Sequence, residues 1–176
     1  LESLNKLIGN HWDILKILTF APESVDEEVI HALKEKNVIA AIGHTGADNA
    51  LIEKANLLGA SHAVHLYNGM KGLHHREPGT AGAILSNDKI YAELILDGVH
   101  VHPKMAEIAY KCKGNKLILI TDAMKAASLQ DGKYDLGGQD VFVQDGEARL
   151  ANGSLAGSTL TMDIAFKNAL KYLSSN

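Results

Sequence analysis

The sequence predicts an α/β fold built from repeated strand–helix units with parallel strand pairing. Five short apolar runs of β-type composition recur at spacings of about 20–25 residues. Helical patterns with recognisable start signals fill the gaps between them. The second run is continuous rather than alternating, as expected for a strand covered on both faces.

The first strand is expected over residues 14–20. Ala21-Pro22-Glu23-Ser24 breaks it, and Ser24 is placed to cap a helix reaching about Lys36. Residues 38–43 form the continuous run, and a helix is expected from about Ala47 to Leu58. Residues 61–66 give a third strand. A long glycine-rich stretch follows, then a fourth strand over 91–96. Pro103 suits the first turn of a helix that reaches about Lys111. Residues 116–121 are the fifth apolar run. Past Asp122 the texture changes to Gly, Asp and Gln. The alternation Val141-Phe142-Val143, followed by Gln144-Asp145-Gly146, reads as a β-hairpin with an Asp-Gly turn. Residues 158–173 return to a helical pattern, with Ser158 or Thr159 as cap. Two architectures accommodate such a series, a doubly wound sheet and a TIM-type barrel, and composition alone does not choose. No G-x-G-x-x-G or P-loop is present to favour the first.

At 176 residues, with 46% apolar and 22% charged residues, the chain has an ordinary globular composition. A net charge of -4 offers no basic field for nucleic acid. No apolar stretch is long enough to span a membrane. Leu1-Glu2-Ser3 lacks the basic start of a leader peptide. Cys112 is the sole cysteine, so no disulfide forms within the chain, and it reads as a plain helix-face residue. A reducing, cytoplasmic setting is the expectation.

The strand ends are the informative places. Glu23, His44, His65, His100 and Asp122 fall at or just past the C-terminal ends of the runs. In a TIM barrel that face is catalytic, and these five would converge there. Imidazoles bind a divalent ion, and a carboxylate handles the proton of a bound water. Each residue also has a plainer reading. A single histidine after a strand is more often a solvent-facing side chain, Asp122 alone reads equally as a helix N-cap, and Arg76 as a loop cation. Met70 and Met124 read as packing residues. His11, His31, His62, His74, His75 and His102 read as surface or packing residues.

An ordered set of motifs resolves the choice of architecture. Phe20-Ala21-Pro22-Glu23, Gly43-His44-Thr45-Gly46-Ala47, His65-Leu66-Tyr67-Asn68-Gly69-Met70, Arg76-Glu77-Pro78-Gly79, Asp97-Gly98-Val99-His100-Val101, Thr121-Asp122-Ala123 and Leu155-Ala156-Gly157-Ser158 occur in this sequence. Together they resemble the N-acetylglucosamine-6-phosphate deacetylases of the amidohydrolase superfamily. The resemblance implies a (β/α)8 barrel, of which residues 1–176 would be a C-terminal portion with roughly the last five strands and a hairpin segment before the last helix. It implies hydrolysis of the acetamide of N-acetylglucosamine 6-phosphate with a divalent metal, zinc or iron, as one or two ions. His44 and His65 match metal ligands, and Asp122 the catalytic acid/base. Asn68, Gly69, Arg76, Asp97, His100, Leu155, Ala156 and Gly157 match the residues that bind the phosphosugar. The full-length protein is expected to be a homo-oligomer, a dimer first of all, with no nucleic-acid or membrane partner.

The metal-ligand glutamate that this family carries upstream is missing here, as are the first strands and the β-sandwich domain. Two histidines and one aspartate make a weak site by themselves, since catalytic zinc usually has three protein ligands. This chain alone is therefore expected to be inactive. The competing readings are another amidohydrolase, such as a deaminase or dihydroorotase-type enzyme, and an inactive half-barrel.

Overall fold

The computed structural model describes residues 1–173. The elements in order are α1 (Glu2–Ile8), β1 (Ile17–Phe20), a 3-10 turn (Pro22–Ser24), α2 (Glu27–Glu35), β2 (Ile39–Ile42), α3 (Asn49–Leu58), β3 (His62–Ala63), α4 (Gly79–Ser86), β4 (Tyr91–Ile95), α5 (Pro103–Lys113), β5 (Leu117–Ile120), β6 (Gly132–Leu136), β7 (Gln139–Gln144), β8 (Glu147–Leu150) and α6 (Met162–Tyr172). Strands β1 to β5 form one sheet in chain order, with β1, β2, β3 and β4 paired in parallel. This sequential order is that of the expected βα units, with helices in the crossovers. The chain divides into two compact units, Leu1–Glu93 with Cys112–Ile118, and Leu94–Lys111 with Leu119–Asn176.

In the first unit the core lies where the continuous apolar run predicted it. Ala40, Ala41 and Ile42 of β2 are buried, with Leu33 of α2, Ile52 of α3 and Ile84 of α4. Burying each such Leu or Ile stabilises the fold by about 1.5–3 kcal/mol. Pro22 starts the 3-10 turn, so Ser24 is not the cap of α2; Asp26 takes that position. Asp48 caps α3 by accepting from the Leu51 amide at 2.9 Å. The first strand starts at Ile17 rather than at residue 14, and the third is only two residues long. After Ala63 the backbone leaves the ladder to build a loop, which is why a six-residue strand is not seen there. The glycine-rich stretch ends in a helix, α4, that its composition hides. It is buried along almost its whole length, so small residues with no polar face are what its packing admits. Lys113 is buried beside it and donates to the carbonyls of Ile84 and Asn87 at 3.0 and 2.6 Å, satisfying groups at the helix end. His62 packs as expected, its ring stacked on Tyr91 at 5.2 Å.

In the second unit the expected hairpin is the outer part of a three-stranded antiparallel sheet, β6-β7-β8. Asp145 and Gly146 have φ of 52° and 77°, the left-handed pair that a two-residue turn of this kind needs. Val141, Val143 and Ala148 point to a small core with Met124, Ala126 and Ala156. The partner strand β6 escapes sequence reading because Gly132-Lys133-Tyr134-Asp135-Leu136 is mostly polar and exposed. Helix α6 is capped at Thr161 rather than at Ser158 or Thr159. The hydroxyl of Ser158 instead donates to the Thr121 carbonyl, and that of Thr159 to the Gly146 carbonyl. Cys112 is exposed on α5, as expected. Among the described residues no helix is long and apolar enough to cross a membrane.

Candidate active site

Three residues singled out in the sequence, His44, His65 and Asp122, share a backbone property. Their φ values are 48°, 32° and 49°. Each follows a parallel strand, after β2, β3 and β5 respectively. The left-handed region is sparsely used by residues other than glycine, and its cost is carried by surrounding structure at functional sites.

In the first unit His44 and His65 are brought together. Their Nε2 atoms lie 3.0 Å apart, and the rings meet edge to face. Nδ1 of His65 lies 3.0 Å from the carbonyl oxygen of Asn68. A carbonyl only accepts, so Nδ1 carries the proton and Nε2 presents a lone pair toward His44. Asn68 returns a bond from its amide to the His65 carbonyl at 2.9 Å, closing the loop on itself. Gly69 has a φ of 58°, and a Cβ there would stand 3.1 Å from Nδ1 of His44, so glycine leaves that ring its place. The His44 and His65 loops are stitched together through Thr45, whose amide donates to the Gly69 carbonyl at 3.0 Å and whose carbonyl accepts from Lys71 at 3.3 Å.

Glu23 does not present a free carboxylate to these imidazoles. One oxygen accepts from the Thr45 hydroxyl and the other from the Gly46 amide at 2.9 Å. Burial raises its pKa, but those bonds and its own backbone amide outweigh burial and hold the carboxyl below the usual value. Thr45, buried and inside a motif already noted, was not singled out from sequence. The signal was available: a hydroxyl directly after a strand-end histidine, with a carboxylate ending the preceding strand.

The two imidazoles fit one side of a metal centre. Two ligands of one tetrahedral zinc stand about 3.3–3.4 Å apart at the usual Zn–N distance, so the 3.0 Å pair needs to open by only a few tenths of an ångström to hold one. The Asn68 carbonyl supplies the outer hydrogen bond that orients a metal-ligating histidine. Among the described residues no group of three His, Cys, Asp or Glu side chains is placed to hold an ion, so the chain offers a pair of ligands and not a complete set.

Arg76 lies in the exposed loop that precedes α4, with Nη1 2.7 Å from Nε2 of His75. The loop is closed by the Lys71–Glu77 ion pair and by the Ala81 amide donating to the Lys71 carbonyl at 3.0 Å.

In the second unit Asp97 and His100 form a closed pair. One Asp97 oxygen accepts from the Val99 and His100 amides at 2.9 and 2.8 Å, and the other faces Nδ1 of His100 at 2.6 Å. Burial pushes Asp97 up, yet the bonds from His100 and Val99 win and hold it below the ordinary aspartate value. This arrangement fixes the His100 ring and leaves its Nε2 for another partner. Asp122 is exposed and also sits beside the loop of Leu155, Ala156 and Gly157. Its carbonyl accepts from the Ser158 amide at 2.9 Å, and a Cβ on Gly157 would stand 3.4 Å from that oxygen. Ala156 is buried in the small core with Met124.

No family model matches the chain. Over 152 residues it is 51% identical to N-acetylglucosamine-6-phosphate deacetylase of Bacillus subtilis, which covers 85% of this chain and 38% of that protein. It is 42% identical over 172 residues to N-acetylgalactosamine-6-phosphate deacetylase of Escherichia coli O157:H7, covering 97% of this chain and 46% of that one. Its structure superposes on that of N-acetyl-D-glucosamine-6-phosphate deacetylase from Mycobacterium smegmatis in complex with N-acetyl-D-glucosamine-6-phosphate. The TM-score there is 0.95 at 34% identity, over 99% of this chain and 47% of that chain. The chain thus spans less than half the length of these relatives. By sequence identity and superposition, the chain is a homologue of part of the N-acetylglucosamine-6-phosphate deacetylases.

Proposed function

We propose that this chain carries part of the active site of a metal-dependent deacetylase acting on N-acetylglucosamine 6-phosphate, releasing acetate and glucosamine 6-phosphate. The observation that carries the reading is the His44–His65 pair, with nitrogens 3.0 Å apart and the His65 tautomer set by Asn68. His44 and His65 would hold a divalent ion, zinc or iron, as one or two ions completed by a ligand this chain does not provide. Such an ion polarises water and lowers its pKa toward neutrality.

The chain's own residues do the rest. Asp122 accepts the proton of the attacking water and delivers it to the amide nitrogen as the C–N bond breaks, so acetate and a free amine leave. His100, with a proton on both ring nitrogens, gives Nδ1–H to Asp97 and donates from Nε2 to the acetyl oxygen as negative charge develops there. Asp97 orients the His100 ring through Nδ1, and the acceptor capacity left on its carboxylate serves the sugar. Arg76 receives the phosphate in its planar fork, and Asn68 and Gly69 contact the same end of the substrate. Leu155, Ala156 and Gly157 line the sugar beside Asp122. Binding energy collected at the phosphate orients the distant amide. A homodimer and a cytoplasmic location complete the proposal, the second resting on the lone Cys112.

The 42% identity to a deacetylase named for the galactose epimer supports a second substrate reading. Acetate release from the two epimers, with the chain in its full-length protein, tests both. A preference for the gluco sugar supports the proposal, a preference for the galacto sugar replaces the substrate, and release from neither rejects the activity.

A further inference from the structure

We propose that Glu23 is the positioning residue for His44: by clamping Thr45 and Gly46 it holds the His44 backbone in the left-handed region from which the ring meets His65. The proposal rests on the reading of His44 and His65 as metal ligands.

The motif Phe20-Ala21-Pro22-Glu23 has no part in the deacetylation chemistry above, yet its glutamate reaches across from the end of β1 to the end of β2. Both carboxylate oxygens are committed there, one to the Thr45 hydroxyl and one to the Gly46 amide at 2.9 Å. Thr45 is 4% exposed, and every polar group it has is used. Its hydroxyl also accepts from the Ala47 amide at 3.0 Å, and its backbone bonds to Gly69 and Lys71 on the His65 side. On the other flank, the Gly43 amide donates to the Phe20 carbonyl at 3.0 Å. His44 is therefore fixed at both neighbours, while its own backbone sits at a φ of 48° that a histidine adopts only at a cost. The ring's bond to Nε2 of His65 lies at its far end and does not hold the backbone. Without the clamp the backbone relaxes and the ring leaves the position that pairs it with His65.

The probe is zinc added to the metal-free full-length protein that contains this chain, followed through the ring proton and nitrogen resonances of His44 and His65. Site resolution is needed because the sequence has nine histidines. Glu23→Ala and Thr45→Val each weaken zinc binding at this pair about 10- to 100-fold, the range typical for outer-shell partners of metal ligands. Combined, they weaken it little beyond Glu23→Ala alone, because Thr45→Val removes one of the two bonds that Glu23→Ala already removes. Thr45→Ser keeps the hydroxyl and restores wild-type affinity. A purely structural clamp would lower the melting temperature of the variants and leave zinc affinity of the folded chain unchanged. If Glu23→Ala fails to fold, Thr45→Val, which keeps the branched shape, decides. If zinc leaves the His44 and His65 resonances of the wild type unmoved, the ligand reading fails and takes the proposal with it. If the wild type binds and both variants bind within about twofold of it, the ligand reading stands and the positioning role is overturned.

Discussion

Gly79→Ala tests how the loop that carries Arg76 is held. Gly79 has a φ of 63°, and a Cβ there would stand 2.3 Å from the Gly72 carbonyl oxygen and 2.9 Å from that of Lys71. Those atoms are backbone, so no rotamer change relieves the overlap. The left-handed conformation costs a non-glycine residue about 1–2 kcal/mol. Forcing the extra carbon into a packed site adds about 1–3 kcal/mol. The substitution is thus expected to destabilise the chain by roughly 2–5 kcal/mol, or about 4–20 °C in melting temperature for a chain of this size. Gly72→Ala is the control from the same loop: a Cβ there meets nothing within 4 Å and the φ is not left-handed. It should leave stability unchanged or raise it by up to about 1 kcal/mol. Thermal unfolding followed by circular dichroism reads both. If Gly79→Ala melts within about 1 °C of the wild type, the crowding drawn here between residues 71–79 is wrong.

Three further expectations follow from the site. Arg76→Ala lowers kcat/KM for the phosphosugar by about 10- to 100-fold, the worth of a charged hydrogen-bonding partner, and leaves turnover of the unphosphorylated sugar alone; equal losses for both sugars would remove Arg76 from the phosphate. Asp97→Asn alters acid stability with a definite sign. The folded pKa of Asp97 is depressed, so its stabilisation is full above the ordinary value of 3.8 and is lost as pH falls through the folded value. Urea midpoints of wild type and variant should therefore differ near neutral pH and draw together in acid, and a constant gap would argue against it. His65→Ala abolishes zinc binding at the His44 site, whereas Asn68→Ala retains it, because the Asn68 group that holds His65 is a backbone carbonyl; loss of binding in Asn68→Ala would show that its side chain does the holding.

The sequence reveals strands of uniform apolar composition, with β2 buried on both faces and β5 half-buried along its length. It conceals α4, because a fully buried helix of Gly, Thr, Ala, Ile and Leu has no polar face to give a period. It conceals β6, because an exposed strand has no apolar face either. The two capping errors differ in cause: Ser24 is taken into the 3-10 turn that Pro22 starts, and the Ser158 hydroxyl is drawn to the Thr121 carbonyl. At the site, residue types at strand ends point to His44, His65 and Asp122, and the structure places the Nε2 atoms of His44 and His65 3.0 Å apart. What the pattern could not carry is which carboxylates are spoken for. Glu23 and Asp97 read from sequence as groups facing a ligand, and only the hydrogen bonds show one tied to Thr45 and the other to His100.

The most direct test of the whole account is acetate release from N-acetylglucosamine 6-phosphate by the full-length protein that contains this chain, before and after chelation. Release that a chelator abolishes, that zinc or iron restores, and that Asp122→Asn lowers by about 10²- to 10⁴-fold is the expected result. Release that survives chelation, or that Asp122→Asn leaves intact, would contradict the assignment of metal and acid/base to these residues.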